Sequence, residues 1–493
     1  MFGLRKLRFV DIGTGLSMMI ASAGMLAASA LHAADPGCAY PSGPAVCNDK
    51  IFEDAAERLK NLNPNVCGAP ACVPAQAAPG CVPGAPACGD GGDAAPTPWS
   101  LTDIFDDGCG NNCLRDKGWK VGGNIAQSFT FNFQSPTNRF NGPVTWTDQS
   151  NQYQANQVWL YAEKATDTSN KDWDLGGRVD VLYGSNARLT TESGLETNRW
   201  ATGGIYGTAL PQFYAELAYK KVKIKAGHFI SPIGYFTVDT TQNFFNTIPY
   251  TYQWGEPFTH TGVLATYQAS DNLVVSSGFT RGWDNFGRNN PNLGYLGTWS
   301  YTFQDKSNLA QVIVWSNEPN QNLNFSSRYY QSLVYTRPVS EKVTYVGQSD
   351  FGTQDNAMLN GRRANWYGVN QYMYYKVNDK WTWGANCEWW RDEEGFRVAG
   401  FLPGNAPSGI TGNYSGVPFA TLPGGYNGNF FQFTVGPRWY PTANPNFFVR
   451  PNLRYDFYTG GVDNAQNPGN VMPFDSGTKS QQGLFVTDVC WIF

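Results

Sequence analysis

From Trp119 to the C-terminus, apolar and polar residues alternate with a period of two. The segment 446–460 is a clear example, because one set of alternate positions is apolar and the other is largely polar or charged. The apolar set is Phe447, Val449, Leu453, Tyr455 and Phe457, and the other set is Phe448, Arg450, Asn452, Arg454 and Asp456. Successive side chains of a β-strand point to opposite faces. The pattern therefore predicts strands with one face suited to lipid and the other to water.

Counting such segments predicts about 16 strands, many of them ten residues or longer, which is the length that a tilted membrane strand needs. They are 119–134, 151–166, 173–189, 213–220, 221–231, 259–269, 272–284, 294–303, 307–318, 328–338, 341–354, 364–376, 380–394, 427–440, 446–460 and 481–493. Short connections such as 167–172 alternate with long ones such as 190–212. The prediction is an all-β protein, a transmembrane antiparallel β-barrel over residues 119–493.

The final segment, LFVTDVCWIF, predicts a strand that runs to the last residue. An unpaired aromatic edge would promote aggregation, so we expect this strand to pair with the first one, which begins at Trp119, and to close the barrel. Trp491 and Phe493 lie on its predicted lipid face. They resemble the C-terminal signal that barrel-assembly machinery recognises, which makes that machinery and outer-membrane lipid expected partners.

The composition agrees with a membrane barrel. Charged residues make up 15% of the chain, against roughly 25% in soluble domains. The net charge of -4 leaves no basic surface for nucleic acid, so no nucleic-acid partner is expected. Trp381, Trp383 and Tyr375 are expected in an aromatic girdle at one membrane interface.

The N-terminus has the pattern of a secretory signal over residues 1–33, with basic Arg5, Lys6 and Arg8 before an apolar run. Downstream of it, no stretch of about 18 apolar residues predicts a membrane-spanning helix. An exported protein whose strands suit lipid is expected in the outer membrane of a diderm bacterium.

Residues 34–118 form a short extension rich in Cys, Pro, Gly and Ala, with a predicted helix near 49–62. Its eight cysteines favour disulfides, and zinc binding is the weaker alternative because the segment has no histidine and no paired CxxC spacing. They are Cys38, Cys47, Cys67, Cys72, Cys81, Cys88, Cys109 and Cys113. The extension is expected to be either a disulfide-linked mini-domain or a docking element for a cell-wall or periplasmic partner. Cys387 and Cys490 are expected to be free thiols.

Two stretches carry a family resemblance. They contain NRFNGP, at residues 138–143, and PFTHTGVLATY, at residues 257–267. The chain resembles the β-barrel porin-2 family, also called OmpL-like, over residues 118–493. The resemblance implies an outer-membrane channel, and it covers neither the extension nor the identity of the solute.

The third long connection, 232–258, resembles in position and length the loop that narrows general porins. It carries Asp239 and Glu256 and no Lys or Arg. Arg438, Arg450 and Arg454 lie on the predicted water face of the opposite wall, and Arg178 is a further predicted pore-wall residue. Acidic and basic groups facing each other would set a transverse field in the pore. Alternatively, these arginines pair with neighbours such as Asp456 and Glu388.

The predicted function is a porin for passive diffusion of small hydrophilic solutes and ions. Porins of this size often form homotrimers, but no residue of the sequence decides the oligomeric state. A non-conducting structural or adhesin barrel is the alternative. A hydrolase would need a catalytic group around His260 and Glu256, and no catalytic motif accompanies them. We therefore expect no enzyme activity, cofactor or metal site.

Overall fold

The computed structural model describes residues 100–106, 112, 114–196, 205–287, 292–320, 324–398, 426–442, 444–460 and 472–493. Its strands are β1 Trp119–Asn132, β2 Gln152–Lys164, β3 Trp173–Gly184, β4 Gly207–Ala209, β5 Phe213–Tyr219, β6 Val222–Ile230, β7 Thr259–Gln268, β8 Leu273–Thr280, β9 Gly294–Thr302, β10 Asn308–Pro319, β11 Phe325–Pro338, β12 Val343–Gln354, β13 Ala364–Asn378, β14 Trp381–Asp392, β15 Gly428–Trp439, β16 Phe447–Val449, β17 Asn452–Gly460 and β18 Gln481–Ile492. The helical segments are short: Leu101–Phe105, Arg115–Lys117, Ala187–Leu189, Thr251–Gly255 and Asp475–Gly477.

The strands form one closed antiparallel sheet in chain order. Each strand pairs with its neighbours along the chain, and β18 pairs with β1. Both β4 and β5 pair with β3, and both β16 and β17 lie between β15 and β18, so each pair is one interrupted barrel strand. The barrel therefore has sixteen strands, as the alternation predicts.

Proline explains the two interruptions. Pro211 lies between β4 and β5, and Pro451 lies between β16 and β17. A proline has no N–H to donate to the neighbouring strand. The short segment Gly207–Ala209 was not predicted, and the predicted strand 173–189 ends at Gly184.

The two faces of the strands are those that the alternation predicts. In β17, Arg454 and Asp456 are buried, whereas Leu453 and Tyr455 are 50% and 45% exposed. Trp381, Trp383 and Tyr375 are exposed near the short connection 379–380, and the ring of Trp381 stacks on Trp439 at 5.6 Å. The exterior is thus aromatic and apolar.

The two barrel cysteines are free thiols, as predicted. Cys387 lies exposed on the outer face and Cys490 is buried on the inner face. The signal segment 1–33, the predicted helix near 49–62 and all eight cysteines of the extension lie outside the described residues.

The connections differ in length at the two ends of the barrel. At one end they are short, as at 220–221, 269–272 and 379–380, and at the other they include 231–258 and 393–427. Short connections are periplasmic in outer-membrane barrels. The chain enters β1 at this short-connection end, where the Thr102 hydroxyl exchanges two hydrogen bonds of 2.9 Å with the backbone of Val121. Among the described residues, no helix is long and apolar enough to cross a membrane.

The last residue completes the seam between β18 and β1. The Phe493 N–H donates to the Gly123 carbonyl at 2.9 Å, and the Gly123 N–H donates to the Phe493 carbonyl at 2.7 Å. The Phe493 ring lies 5.2 Å from the ring of Trp491. The chain therefore ends on a paired strand.

Deleting Phe493 should reduce the amount of folded protein in the outer membrane, because it removes the two hydrogen bonds between Phe493 and Gly123 and the terminal aromatic group. Heat-dependent mobility of membrane fractions on gels measures the folded amount. Phe485→Ser is the matched control, since Phe485 is a lipid-facing aromatic of the same strand. Equal folded amounts of the deletion and the wild type would remove the proposed role of Trp491 and Phe493 as an assembly signal.

Candidate functional site

Residues 231–258, the inner loop, lie inside the barrel and cross its lumen. On one side, Gln157 of β2 donates Nε2 to the Val238 carbonyl at 2.6 Å and accepts at Oε1 from the Thr240 N–H at 3.1 Å. On the other side, Glu388 of β14 accepts from the N–H of Tyr250 at 2.7 Å and from that of Thr251 at 2.6 Å. Because β2 and β14 are well separated around the barrel, these contacts hold the loop across the opening.

The inner loop also packs as a small apolar core. Its side chains with 3% exposure or less are Val238, Phe245, Ile248, Tyr250, Tyr252, Trp254, Phe258 and, near the turn, Ile233. The ring of Phe236 lies 5.7 Å from Tyr372, and the ring of Phe244 lies 4.6 Å from Tyr374, both on β13. Burial of these rings fixes the loop against one wall.

Arg450, between β16 and β17, ties the inner loop to the wall. Its Nε and Nη2 donate to Asp488 Oδ2 at 2.8 and 2.6 Å. Its Nη1 donates to the carbonyls of Thr240 at 2.8 Å and Asn243 at 2.7 Å. The side chain is fully buried. Arg450 thus supplies donors to irregular backbone that has no strand neighbour.

Arg454 repeats this arrangement further along the same wall. Its Nε donates to Asp456 Oδ1 at 2.9 Å, and its Nη1 donates to the Ile248 carbonyl at 2.6 Å. The Tyr250 hydroxyl donates to the same carboxylate oxygen at 2.8 Å. The pairing with Asp456 is the alternative that the sequence left open for this arginine.

Arg438 and Arg178 are the two predicted pore-wall arginines that are not fully buried. Arg438 donates to the Asn243 carbonyl, and its guanidinium lies 5.0 Å from the ring of Phe244. Arg178 pairs with Glu163 at 3.0 Å and with Asp180 at 2.7 Å, far from the other three along the sheet. Its side chain is 18% exposed and lies on the inner face of β3.

The two predicted acidic residues of the inner loop have different surroundings. Asp239 is half-buried and accepts at Oδ1 from Asn124 Nδ2 of β1 at 3.1 Å and from the Thr241 N–H at 3.0 Å. Gln242, three residues on, is exposed and donates to Asp239 Oδ2 at 3.1 Å. Asp239 is therefore less buried than Glu256.

Glu256 is fully buried at the end of the inner loop. It accepts from Gln348 Nε2 at 2.7 Å, and burial followed by the nearby Asp350 raises the pKa of Glu256 well above its usual range. Gly234 makes room for it, because a Cβ at that position would lie 2.2 Å from Glu256 Oε2. Within the described residues, no hydrogen bond or ion pair joins Glu256 to Arg438, Arg450 or Arg454. Glu256 therefore binds the barrel wall through Gln348 from a fully buried position.

His260 has a serine neighbour but no carboxylate partner among the described residues. Its Nε2 lies 3.1 Å from the Ser231 hydroxyl, and its Nδ1 lies 3.1 Å from the Gly282 carbonyl. A nucleophilic site needs a third group that orients the base, and a backbone carbonyl does not supply the charge of a triad carboxylate. The described residues hold no cluster of three or more His, Cys, Asp or Glu that could bind a metal.

A closed sixteen-stranded barrel with an apolar exterior, a polar interior and its own loop across the lumen defines the porin class of outer-membrane channels. Within this class, the chain belongs to the family described as "Putative beta-barrel porin-2, OmpL-like", whose model matches residues 118–493. The protein is thus an outer-membrane porin of a diderm bacterium. The family resemblance seen in the sequence is confirmed.

Three solved outer-membrane proteins are similar to this chain at low sequence identity. Pseudomonas putida OprB, solved at high pH, is 13% identical, with 77% of this chain and 95% of that chain covered and a TM-score of 0.50. An anion-selective porin from Comamonas acidovorans is 8% identical, with 76% and 99% covered and a TM-score of 0.49. The outer-membrane channel DcaP of Acinetobacter baumannii is 10% identical, with 76% and 98% covered and a TM-score of 0.48. A search of curated proteins found no match.

Replacing Arg450 with methionine should destabilise the folded barrel by about 3–5 kcal/mol, the usual loss when one partner of a buried ion pair is removed. The change leaves Asp488 without its ion-pair partner and removes the Arg450 hydrogen bonds to the carbonyls of Thr240 and Asn243. Thermal unfolding of the refolded protein in lipid vesicles measures the loss.

Arg363→Met is the matched control, because the Arg363 pair with Asp355 is exposed and should contribute about 1 kcal/mol or less. Adding Asp488→Asn to Arg450→Met should restore part of the stability. Equal unfolding temperatures for Arg450→Met and Arg363→Met would show that Arg450 does not anchor the inner loop.

Proposed function

We propose that the barrel is a passive, water-filled channel for small hydrophilic solutes and ions, narrowed by the inner loop. The observation that carries this proposal is the set of hydrogen bonds that hold the loop across the lumen, above all those from Arg450 and Arg454 to loop carbonyls. The passage is proposed to run beside the loop, past Arg178 of β3 and Glu163 of β2, which are partly exposed. The size limit of the solute then depends on the loop.

The ion preference is proposed to follow from the charges that face this passage. Asp239 lies on the loop side, and Arg178 and Arg438 are the less buried arginines of the wall. Arg450 and Arg454 contribute from behind the loop backbone, where Asp488 and Asp456 offset most of their charge. Charges in a narrow pore are screened less than exposed ones, for which the Debye length is about 8 Å at physiological ionic strength. A few partly exposed groups can therefore set the selectivity.

One observation favours the alternative of a non-conducting structural or adhesin barrel. Beneath the long-connection end lies a buried aromatic cluster that includes Trp283, Tyr330, Trp366 and Trp390. Such a cluster fills lumen space that an open channel leaves to water. Single-channel recordings of the purified protein in planar bilayers separate the two functions, because a structural barrel gives no discrete ohmic steps.

Several expectations accompany the channel proposal. Family membership supports a channel rather than an enzyme, and the expected lack of catalytic activity, cofactor and metal stays a prediction. The homotrimer, the barrel-assembly machinery and a partner for the extension 34–118 are likewise predictions.

Asp239→Asn should move the reversal potential in a salt gradient toward anion preference, because it removes the partly exposed negative charge of the inner loop. Arg178→Gln should move it toward cation preference. Glu256→Gln is the internal control and should change it little, because Glu256 is buried and favours its neutral form. Identical reversal potentials for Asp239→Asn, Arg178→Gln and the wild type would refute the assignment of these charges.

Deleting Thr240 to Thr247 should raise the single-channel conductance, because this segment includes the carbonyls that Arg450 holds and the rings that pack on β13. A deletion of equal length, residues 401–408 of the connection between β14 and β15, is the control for a general effect of shortening a connection. Unchanged conductance in the first deletion would place the narrowest point elsewhere.

A further inference from the structure

Two arginines lie buried at the long-connection end of the lumen. Arg328 is an inward residue of β11, 3% exposed, and Arg397 lies in the connection 393–427 with no exposure. Each is fixed through its Nε, which donates to Gln354 Oε1 in Arg328 and to the Trp254 carbonyl in Arg397, both at 2.7 Å. The two guanidinium groups are therefore held in place from one side.

Two tryptophan rings support both guanidinium groups. The Arg328 Cζ lies 4.6 Å from the ring centre of Trp283 and 5.9 Å from that of Trp366. The Arg397 Cζ lies 5.0 and 4.8 Å from the same two rings. Ring faces attract the charge of a guanidinium, but they accept few hydrogen bonds from its N–H edge.

The guanidinium groups of Arg328 and Arg397 and the rings of Trp283 and Trp366 form a platform in which four donor atoms have no acceptor in the described part of the chain. Among the described residues, Nη1 of Arg328, Nη1 and Nη2 of Arg397 and Nε1 of Trp283 are buried and make no hydrogen bond. Burial, and next the charge of Arg328, lower the pKa of Arg397. A buried charged donor without an acceptor is strongly unfavourable. The platform therefore favours a ligand that only accepts hydrogen bonds.

Two of the neighbouring carboxylates, Asp392 and Glu318, accept hydrogen bonds from other groups. Asp392 accepts from the N–H of Phe396 at 3.0 Å, of Arg397 at 2.6 Å and of Val398 at 2.9 Å, which fixes the turn that carries Arg397. Glu318 Oε1 accepts from the backbone N–H of Trp283 at 2.9 Å and from the Ser316 hydroxyl. The charges of Asp392 and Glu318 offset those of the two arginines at longer range. They do not accept hydrogen bonds from the unpaired guanidinium N–H groups.

We propose that Arg328 and Arg397 form a binding site for the carboxylate group of a small organic acid. A carboxylate accepts hydrogen bonds and does not donate, and its two oxygens match the fork of a guanidinium. Asp392, Glu318 and Asp284 lie near the two arginines and offset their charge, so a singly charged carboxylate is favoured over a phosphate dianion. The rings of Trp283 and Trp366 cover the apolar part of the acid. The site lies at the end of the lumen that faces the outside, and binding there does not depend on conduction.

Fluorine NMR of trifluoroacetate with the refolded full-length protein tests the site. The wild type should broaden the trifluoroacetate line, and the neutral isostere trifluoroacetamide should stay sharp. Arg328→Gln and Arg397→Gln should each weaken binding by about tenfold or more, the usual effect of losing hydrogen bonds to a charged group. Arg363→Gln is the matched control, since it removes an exposed arginine of a neighbouring connection, and should bind as the wild type does.

A second measurement uses the wild type alone and so does not depend on folding of the variants. Acetate should displace trifluoroacetate at concentrations at which acetamide and inorganic phosphate do not. Absence of broadening, equal binding by Arg397→Gln and the wild type, or loss of binding in Arg363→Gln would overturn the site. Displacement by phosphate at lower concentration than acetate would overturn its assignment to carboxylates. None of these outcomes bears on whether the barrel conducts.

Discussion

The structure depends on one constraint, the pairing of every backbone N–H and C=O group at membrane depth. Lipid offers no hydrogen bonds, so a spanning sheet has to close. The seam between β18 and β1 meets this requirement up to the last residue, where Phe493 and Gly123 exchange two hydrogen bonds. Closure also separates the two faces of the sheet. The polar side chains lie inside the barrel, and the apolar rings lie outside, toward lipid.

The same constraint acts on the inner loop, which has no neighbouring strand. Side chains of the wall take over that role: Gln157 and Glu388 bind its N–H and carbonyl groups, and Arg450 and Arg454 donate to its carbonyls. An arginine suits this work because its five N–H groups can bind a wall carboxylate and the loop backbone together. The ion pairs of Arg450 with Asp488 and Arg454 with Asp456 thus orient donors as well as balancing charge.

Much of the barrel could be predicted from the local sequence pattern, because every second residue of a strand lies on the same face. The sixteen strands and the inward positions of Arg450 and Arg454 follow from alternation, and so does the pairing of Arg454 with Asp456, two residues away on the same face. Three neighbours could not be predicted: Asp488 as the partner of Arg450, Gln157 as the partner of the loop backbone, and Asp350 near Glu256. They come together only after strands distant in the chain pair. For the same reason the burial of Glu256 was missed, although its charge made it a reasonable pore residue.

Burial also changes which charges matter to a passing solute. A guanidinium that binds a carboxylate on one side and backbone carbonyls on the other has few donors left, and its field is offset within a few ångströms. Arg450 and Arg454 are of this kind. Asp239 and Arg178 are less buried, and Arg328 and Arg397 keep donors that no described residue fills. Selectivity in such a barrel is therefore set less by the number of inward charges than by how many of them the fold leaves incompletely satisfied.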